Sequence, residues 1–263
     1  MAMQPLPSRW ATDLAVVQLF GSTIEQHPDH LVVRTTANPD FHWGNFILVT
    51  AADQVADADR WLEVFSQTHL QADWVAIGLL TPPTDLSSWS AHALDVEVDQ
   101  TLSTGSCPRG ARLADGYQVR RLVGTDWDRL AEQELGDNEA SDTYDAAAHE
   151  RFIRTRNQQL AEASARDALA YFGAFDGDTL AASLGIVVCD GIARYQAVGT
   201  HSAHRRRGLA GHLLGVAARW AADQQCDRWV IVTETTNPAG RLYRSVGFEP
   251  DLDTASVYLA PPR

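Results

Sequence analysis

The chain has 263 residues, 45% hydrophobic and 21% charged, with 21 basic residues, all arginine, against 34 carboxylates and a formal charge of −13. That length admits one large core or two modest ones, and the apolar content excludes a disordered chain. The negative balance excludes a general binder of nucleic acid or anionic membrane, and the absence of lysine excludes Schiff-base chemistry.

Cys107, Cys189 and Cys226 are odd in number and far apart. They match neither a disulfide framework nor a zinc spacing, and they fit a reducing cytoplasm. No apolar run approaches the roughly 18 residues of a membrane span, and the first ten residues lack the basic-then-apolar order of a signal peptide. A cytoplasmic protein is expected.

Taken in order, the first part of the chain predicts a strand at 45–50, a helix at 56–67, a strand at 74–80, a helix at 87–93 and a strand at 96–102. Residues 1–105 hold Arg9, Arg34 and Arg60 against thirteen carboxylates, a net of −10, so a site for a multiply phosphorylated ligand is expected later, where the net is only −3. The helix opening at 51–60 is acidic and would repel a diphosphate. Phe41-His-Trp-Gly-Asn45 is a compact aromatic cluster, read as a structural plug or as part of an acceptor pocket. The stretch 106–116, with three glycines or prolines and no period, reads as a linker.

The second part predicts a strand at 117–122, a helix capped by Thr125 and running to about 135, an acidic loop at 134–143 and a polar helix at 145–164. Strands at 171–175 and 180–188 flank the turn Asp176-Gly177-Asp178. Beyond them come a strand at 194–200, a helix at 208–223, a strand at 229–233, a short helix at 238–245 and a strand at 256–259. This is a mixed α/β order. Its last five elements repeat the five of the first part, so a degenerate internal repeat is left open. The expected division is 1–105, linker 106–116 and 117–263.

The segment Thr200-His-Ser-Ala-His-Arg-Arg-Arg-Gly-Leu-Ala-Gly211 joins a strand to a helix. An opening helix leaves backbone N–H groups without intrahelical partners and places partial positive charge there. Gly208, Ala210 and Gly211 let phosphate oxygens approach the main chain, and Arg205, Arg206 and Arg207 add charge with bidentate geometry. An ordinary turn with solvated arginines has the same local pattern. His201 and His204 flank the turn, but without further ligands they make a poor zinc site, and no metal is expected.

A second segment, Asn237-Pro-Ala-Gly-Arg-Leu-Tyr-Arg-Ser-Val-Gly-Phe248, lies just after the strand at 229–233. With Arg205-Arg-Arg-Gly208-Leu-Ala210 about 30 residues earlier, it resembles the GNAT superfamily of acyl-coenzyme A dependent N-acyltransferases over about 117–263. The resemblance implies an α/β fold whose largely antiparallel sheet splays between the strands 194–200 and 229–233. It implies acetyl-coenzyme A as co-substrate, a pyrophosphate held by backbone N–H groups of about 206–211, and Val198, Gly199 and Thr200 along the pantetheine arm. Asn237 would contact the cofactor, with Leu209 at the helix start, and Tyr243 would face the thioester sulfur.

On that resemblance Tyr243 is the expected general acid, since a phenol with a reference pKa of about 10 stays protonated at neutral pH. Packing of the ring on a short helix is the other reading of this residue. The strand 194–200 carries no carboxylate, so Glu234 on the neighbouring strand is the candidate base, or else a solvated loop residue. Glu134, Asp137, Glu139 and Asp142 fall where the resembling family closes its acceptor site, and an acidic wall would attract a cationic amine. The expected reaction is acyl transfer to a primary amine of a small molecule or peptide. A non-catalytic acyl-coenzyme A binding module is the alternative.

Overall fold

The computed structural model describes residues 5–141 and 144–261. Packing divides the chain into two compact units, Met1–Thr101 with Leu252–Arg263, and Leu102–Asp251.

The first unit contains α1 (Ser8–Leu19), β1 (Thr23–Gln26), β2 (His30–Arg34), β3 (Phe46–Val49), α2 (Ala58–Thr68), β4 (Val75–Leu79), α3 (Ser87–Ala91) and most of β5 (Val96–Thr104). Strands β1, β2 and β3 pair antiparallel, and β3 pairs parallel with β4 across the crossover helix α2. Residues 46–49 are wholly apolar and buried, as a strand covered on both faces requires. Trp10 of α1 fills the space over Gly78, where an added β-carbon would meet its ring at 2.5 Å, and its indole N–H donates to Leu79 O at 3.1 Å.

The second unit contains β6 (Tyr117–Arg121), α4 (Asp126–Ser141), α5 (Ala146–Ser164), β7 (Leu169–Asp176), β8 (Thr179–Cys189), β9 (Ile192–Thr200), α6 (Leu209–Asp223), β10 (Arg228–Glu234), α7 (Ala239–Ser245) and β11 (Glu249–Pro250). Strands β6, β7, β8 and β9 form antiparallel pairs, and β10 returns parallel to β9 across α6. Leu209, Leu213, Leu214, Ala217, Ala218 and Ala221 are buried along α6 in the i, i+4, i+5, i+8, i+9, i+12 pattern of one helix face, so one stripe of the helix covers the sheet. Both units thus repeat one topology, antiparallel strands and then a parallel pair bridged by a helix.

Three expectations change. The last strand, β12 (Thr254–Leu259), goes with the first unit rather than with 117–263, because it pairs antiparallel with both β4 and β5. The acidic stretch 134–141 continues α4 as helix rather than forming a loop, and Asp142 lies outside the described residues. Helix α1 and strands β1 and β2 stand where the sequence pattern predicts no element. The segment 106–116 has no regular structure, yet it is fastened down: Ala111 N donates to Gly211 O at 3.1 Å and Arg109 N to Val246 O at 3.1 Å.

Candidate active site

Strands β9 and β10 are in register only from Ile192–Arg194 and Arg228–Val230, although β9 runs on to Thr200 and β10 to Glu234. The reason lies in β9. Ala197 has φ of 46°, and the ladder to β8 jumps from Gln196 opposite Gly185 to Gly199 opposite Ser183, so two residues of β9 face one of β8. Such a bulge bends its strand and re-aims the residues beyond it. The sheet opens where the resemblance implies a splay, and Val198, Gly199 and Thr200, all half-buried, lie at the bulge and just past it.

After Thr200 the chain makes a short 3-10 turn at Ser202–His204 and then enters α6. Arg206 has φ of 63° and Gly208 of 73°; the second costs nothing in strain at a residue without a β-carbon. The first backbone N–H inside α6 to find a helical acceptor is that of His212, on Gly208 O at 3.0 Å. Those of Leu209, Ala210 and Gly211 precede it and stand at the positive end of a 15-residue helix. Thr200, His204, Leu242 and the run from Arg205 to Gly211 line a cavity of about 310 Å³. The predicted loop residues are therefore gathered into one concavity that combines donor groups, small residues and arginine charge. This fits an anionic diphosphate.

Val198, Gly199, Glu234, Asn237 and Tyr243 do not line that cavity. Tyr243 sits on α7, 5% exposed, 6.5 Å ring to ring from Phe248. Burial raises its pKa above the ordinary phenol value, and the Arg194 cation works against that rise. Arg194 is itself buried, on β9 opposite Val230, and donates from Nη1 to Tyr195 O at 2.9 Å. No pattern in the sequence signals this buried cation beside Tyr243. Glu234 ends β10 and is exposed; its carbonyl accepts from Asn237 N at 3.1 Å. The Asn237 Oδ1 accepts from Ala239 N at 3.0 Å, so this side chain holds the turn into α7.

The acidic residues on α4 differ in their surroundings. Glu134 is ion-paired with Arg156 of α5, whose guanidinium lies 5.2 Å over the Phe152 ring and donates to Asn157 Oδ1 at 3.0 Å. Asp137 is exposed. Glu139 is described only as part of α4. Beneath this pair Tyr171 of β7 is buried, and its pKa is pushed up to about 12, mostly by burial. Among the described residues no group of three His, Cys, Asp or Glu side chains is placed to hold a metal ion, and no helix is long and apolar enough to cross a membrane.

The sheet thus opens between a bulged strand and its parallel neighbour, with an arginine-rich turn at the opening, the arrangement that the resemblance implies. Residues 129–248 match the family model described as Acetyltransferase (GNAT) family, and this part of the chain is a GNAT acetyltransferase domain. The whole chain is similar in fold to several solved structures. A functionally unknown conserved protein from Staphylococcus epidermidis shares 11% identity at a TM-score of 0.72, over 92% of this chain and 96% of that one. A GCN5-related N-acetyltransferase from Kribbella flavida shares 15% at 0.68, over 99% and 97%. A tandem GNAT protein from the clavulanic acid biosynthesis pathway shares 13% at 0.56, over 100% and 90%. No curated protein matches.

Proposed function

We propose that this protein is an N-acyltransferase that moves an acetyl group from coenzyme A to a primary amine of a small molecule or peptide, in the cytoplasm. The observation that carries the reading is the concavity at Thr200–Gly211, with the open end of the sheet beside it. The N–H groups from about Arg206 to Gly211 and the three arginines would hold the diphosphate, and Val198, Gly199 and Thr200 would lie along the pantetheine arm. The thioester supplies an activated acyl group with a thiolate as leaving group.

In this reading Tyr243 gives that thiolate its proton. Burial favours the neutral phenol, which keeps the proton in place until the leaving group takes it. Glu234, at the open end of β10, is the proposed base for the incoming amine. Asp137, Glu139 and Asp142 would draw a cationic acceptor, and Glu134 contributes less because Arg156 neutralises it.

The test is turnover of acetyl-coenzyme A with a panel of primary amines and peptide N-termini, monitored by free thiol release. Amine-dependent release supports the reading. Tight coenzyme A binding in calorimetry with no transfer to any acceptor favours the non-catalytic binding module instead. Replacing Arg205, Arg206 and Arg207 together by glutamine with no change in the coenzyme A dissociation constant would end the diphosphate assignment.

A further inference from the structure

We propose that Tyr117 and His204 form a positioning pair that holds Arg207 in place for the nucleotide diphosphate. The inference rests on the reading of Arg205–Gly211 as a diphosphate cradle. Arg207 Nη1 donates to the Tyr117 hydroxyl oxygen at 2.9 Å, and that hydroxyl lies 2.8 Å from His204 Nδ1. An arginine can only donate. The Tyr117 oxygen therefore accepts from Arg207, and its one hydrogen is assigned to His204 Nδ1, with the imidazole hydrogen on Nε2.

Tyr117 belongs to neither the turn nor α6. It opens β6, is 8% exposed, and is fixed in the sheet opposite Asp176. Its ring meets the His204 ring edge to face at 5.8 Å, and the Arg207 guanidinium carbon lies 5.9 Å from the Tyr117 centroid. His204 and Arg207 both line the concavity, whereas Tyr117 stands behind them. Other charged or titratable groups nearby include Asp176, 4.0 Å from His204 Nδ1, His201, whose ring lies 5.7 Å from that of His204, Arg205, whose Nε donates to Thr200 O at 3.3 Å, and Arg206 in the same cavity lining.

The physical consequence is preorganisation. A free arginine gives up rotamer freedom when it grips an anion. Arg207 is already held at one nitrogen by a rigid aromatic, so less is lost on binding, and its remaining N–H groups stay available for phosphate oxygens. His204 acts one step further back by fixing the hydroxyl's orientation. Both residues act through Arg207.

The test measures coenzyme A dissociation constants by calorimetry for the wild type, Tyr117→Phe, His204→Gln and the double variant. Alongside, kcat/KM is measured with S-acetylpantetheine, which carries the thioester but no nucleotide. A hydrogen bond to a charged group sets the expected scale, a loss of about tenfold in coenzyme A affinity for Tyr117→Phe and a smaller one for His204→Gln. Because the two act in one chain, the double variant should be no weaker than Tyr117→Phe alone. S-acetylpantetheine turnover should lose much less than coenzyme A affinity.

Equal losses on both ligands would show a general structural disturbance and overturn the proposal, as would additive losses in the double variant. Should Tyr117→Phe fold poorly, His204→Gln, on a surface turn, carries the same contrast between the two ligands. A wild type that binds no coenzyme A sinks the cradle and the pair together. A wild type that binds, with both single variants equal to it, sinks the pair only.

Discussion

The backbone of Gly110 occupies the space that a side chain at Gly215 would need: a β-carbon added to Gly215 would stand 2.4 Å from both the N and the Cα of Gly110. The same segment bonds α6 one turn earlier, where Ala111 O also meets His212 Nδ1 at 2.7 Å. The stretch that reads as a linker is in fact a strap along the helix that opens the phosphate turn.

Gly215→Ala should therefore destabilise the protein although alanine is the better helix former. Propensity favours alanine by about 1 kcal/mol, but overpacking against backbone costs about 1–3 kcal/mol. Gly136 of α4 is the control, because nothing lies within 4 Å of its would-be β-carbon. Gly136→Ala should gain up to about 1 kcal/mol in chemical denaturation. If both variants gain alike, the strap does not press on α6.

In the first unit a second buried contact ties distant parts of the sequence. Arg9 Nη1 donates to Asp99 Oδ2 at 2.5 Å and to Thr254 Oγ1 at 2.8 Å, and Ser256 Oγ donates to Asp99 at 2.7 Å. All four residues are more than nine-tenths buried. Asp99→Ala removes the nearer of the two anions beside a buried cation and leaves Arg9 only Asp13, 3.5 Å from its Nε. The expected loss therefore lies at or below the ~3–5 kcal/mol of a fully broken buried pair. Ending the chain at Asp251 removes β12 altogether and should leave the first unit unfolded, read as loss of protection at β4 and β5 in hydrogen exchange. Native-like exchange at those strands would contradict the pairing.

These contacts mark the limit of what a reader of the sequence can see. The helix α6, the strands β9 and β10 and the arginine turn are legible because period, small residues and charge coincide within some forty positions. The helix α1 is not: it begins after Pro7 without a side-chain cap, and it buries Arg9 and Thr12 alongside its apolar residues. Strand β1 is mostly exposed and polar, with no alternation to read. The stretch 134–141 has no apolar period, and its first acidic residue is anchored by Arg156, 22 positions away. Likewise, β12 is recognisable as a strand, but its partners are set by packing across more than 150 residues. The bond from Tyr117 to Arg207 spans 90 positions and leaves no local pattern.

Tyr243→Phe isolates the proposed acid, because it removes one hydroxyl from a residue packed against Phe248. General acid catalysis contributes typically 10²–10⁴-fold, so kcat should fall by about a hundredfold or more. The wild-type rate should show no decline on the alkaline side until well above neutrality, since burial raises the phenol's pKa. A kcat within twofold of wild type, across all acceptors that react, removes Tyr243 from the proton path.

His69 gives the first unit an acid-sensitive point that is independent of catalysis. It caps the end of α2, its ring is 4.9 Å from that of Phe65, and its Nε2 is buried with no hydrogen-bond partner among the described residues. Burial, with the Arg34 cation nearby, lowers its pKa from 6.5 to about 4. The unfolded chain therefore takes up a proton at a higher pH than the folded one, so stability is full above about 6.5 and is lost as pH falls toward 4. Each pKa unit is worth about 1.4 kcal/mol, and because His69 is not fully shielded from water we expect about 2 kcal/mol over that range. The depressed carboxylate of Asp29 acts lower, losing its contribution as pH falls below the ordinary value of 3.8, so the two windows separate. Urea unfolding between pH 7 and 4.5 should show this slope in the wild type and a shallower one in His69→Gln, with the remainder coming from His42 and His149, whose pKa values burial also lowers. Identical slopes in the two proteins would mean that the folded chain admits the charged imidazole, and hence that water reaches Nε2.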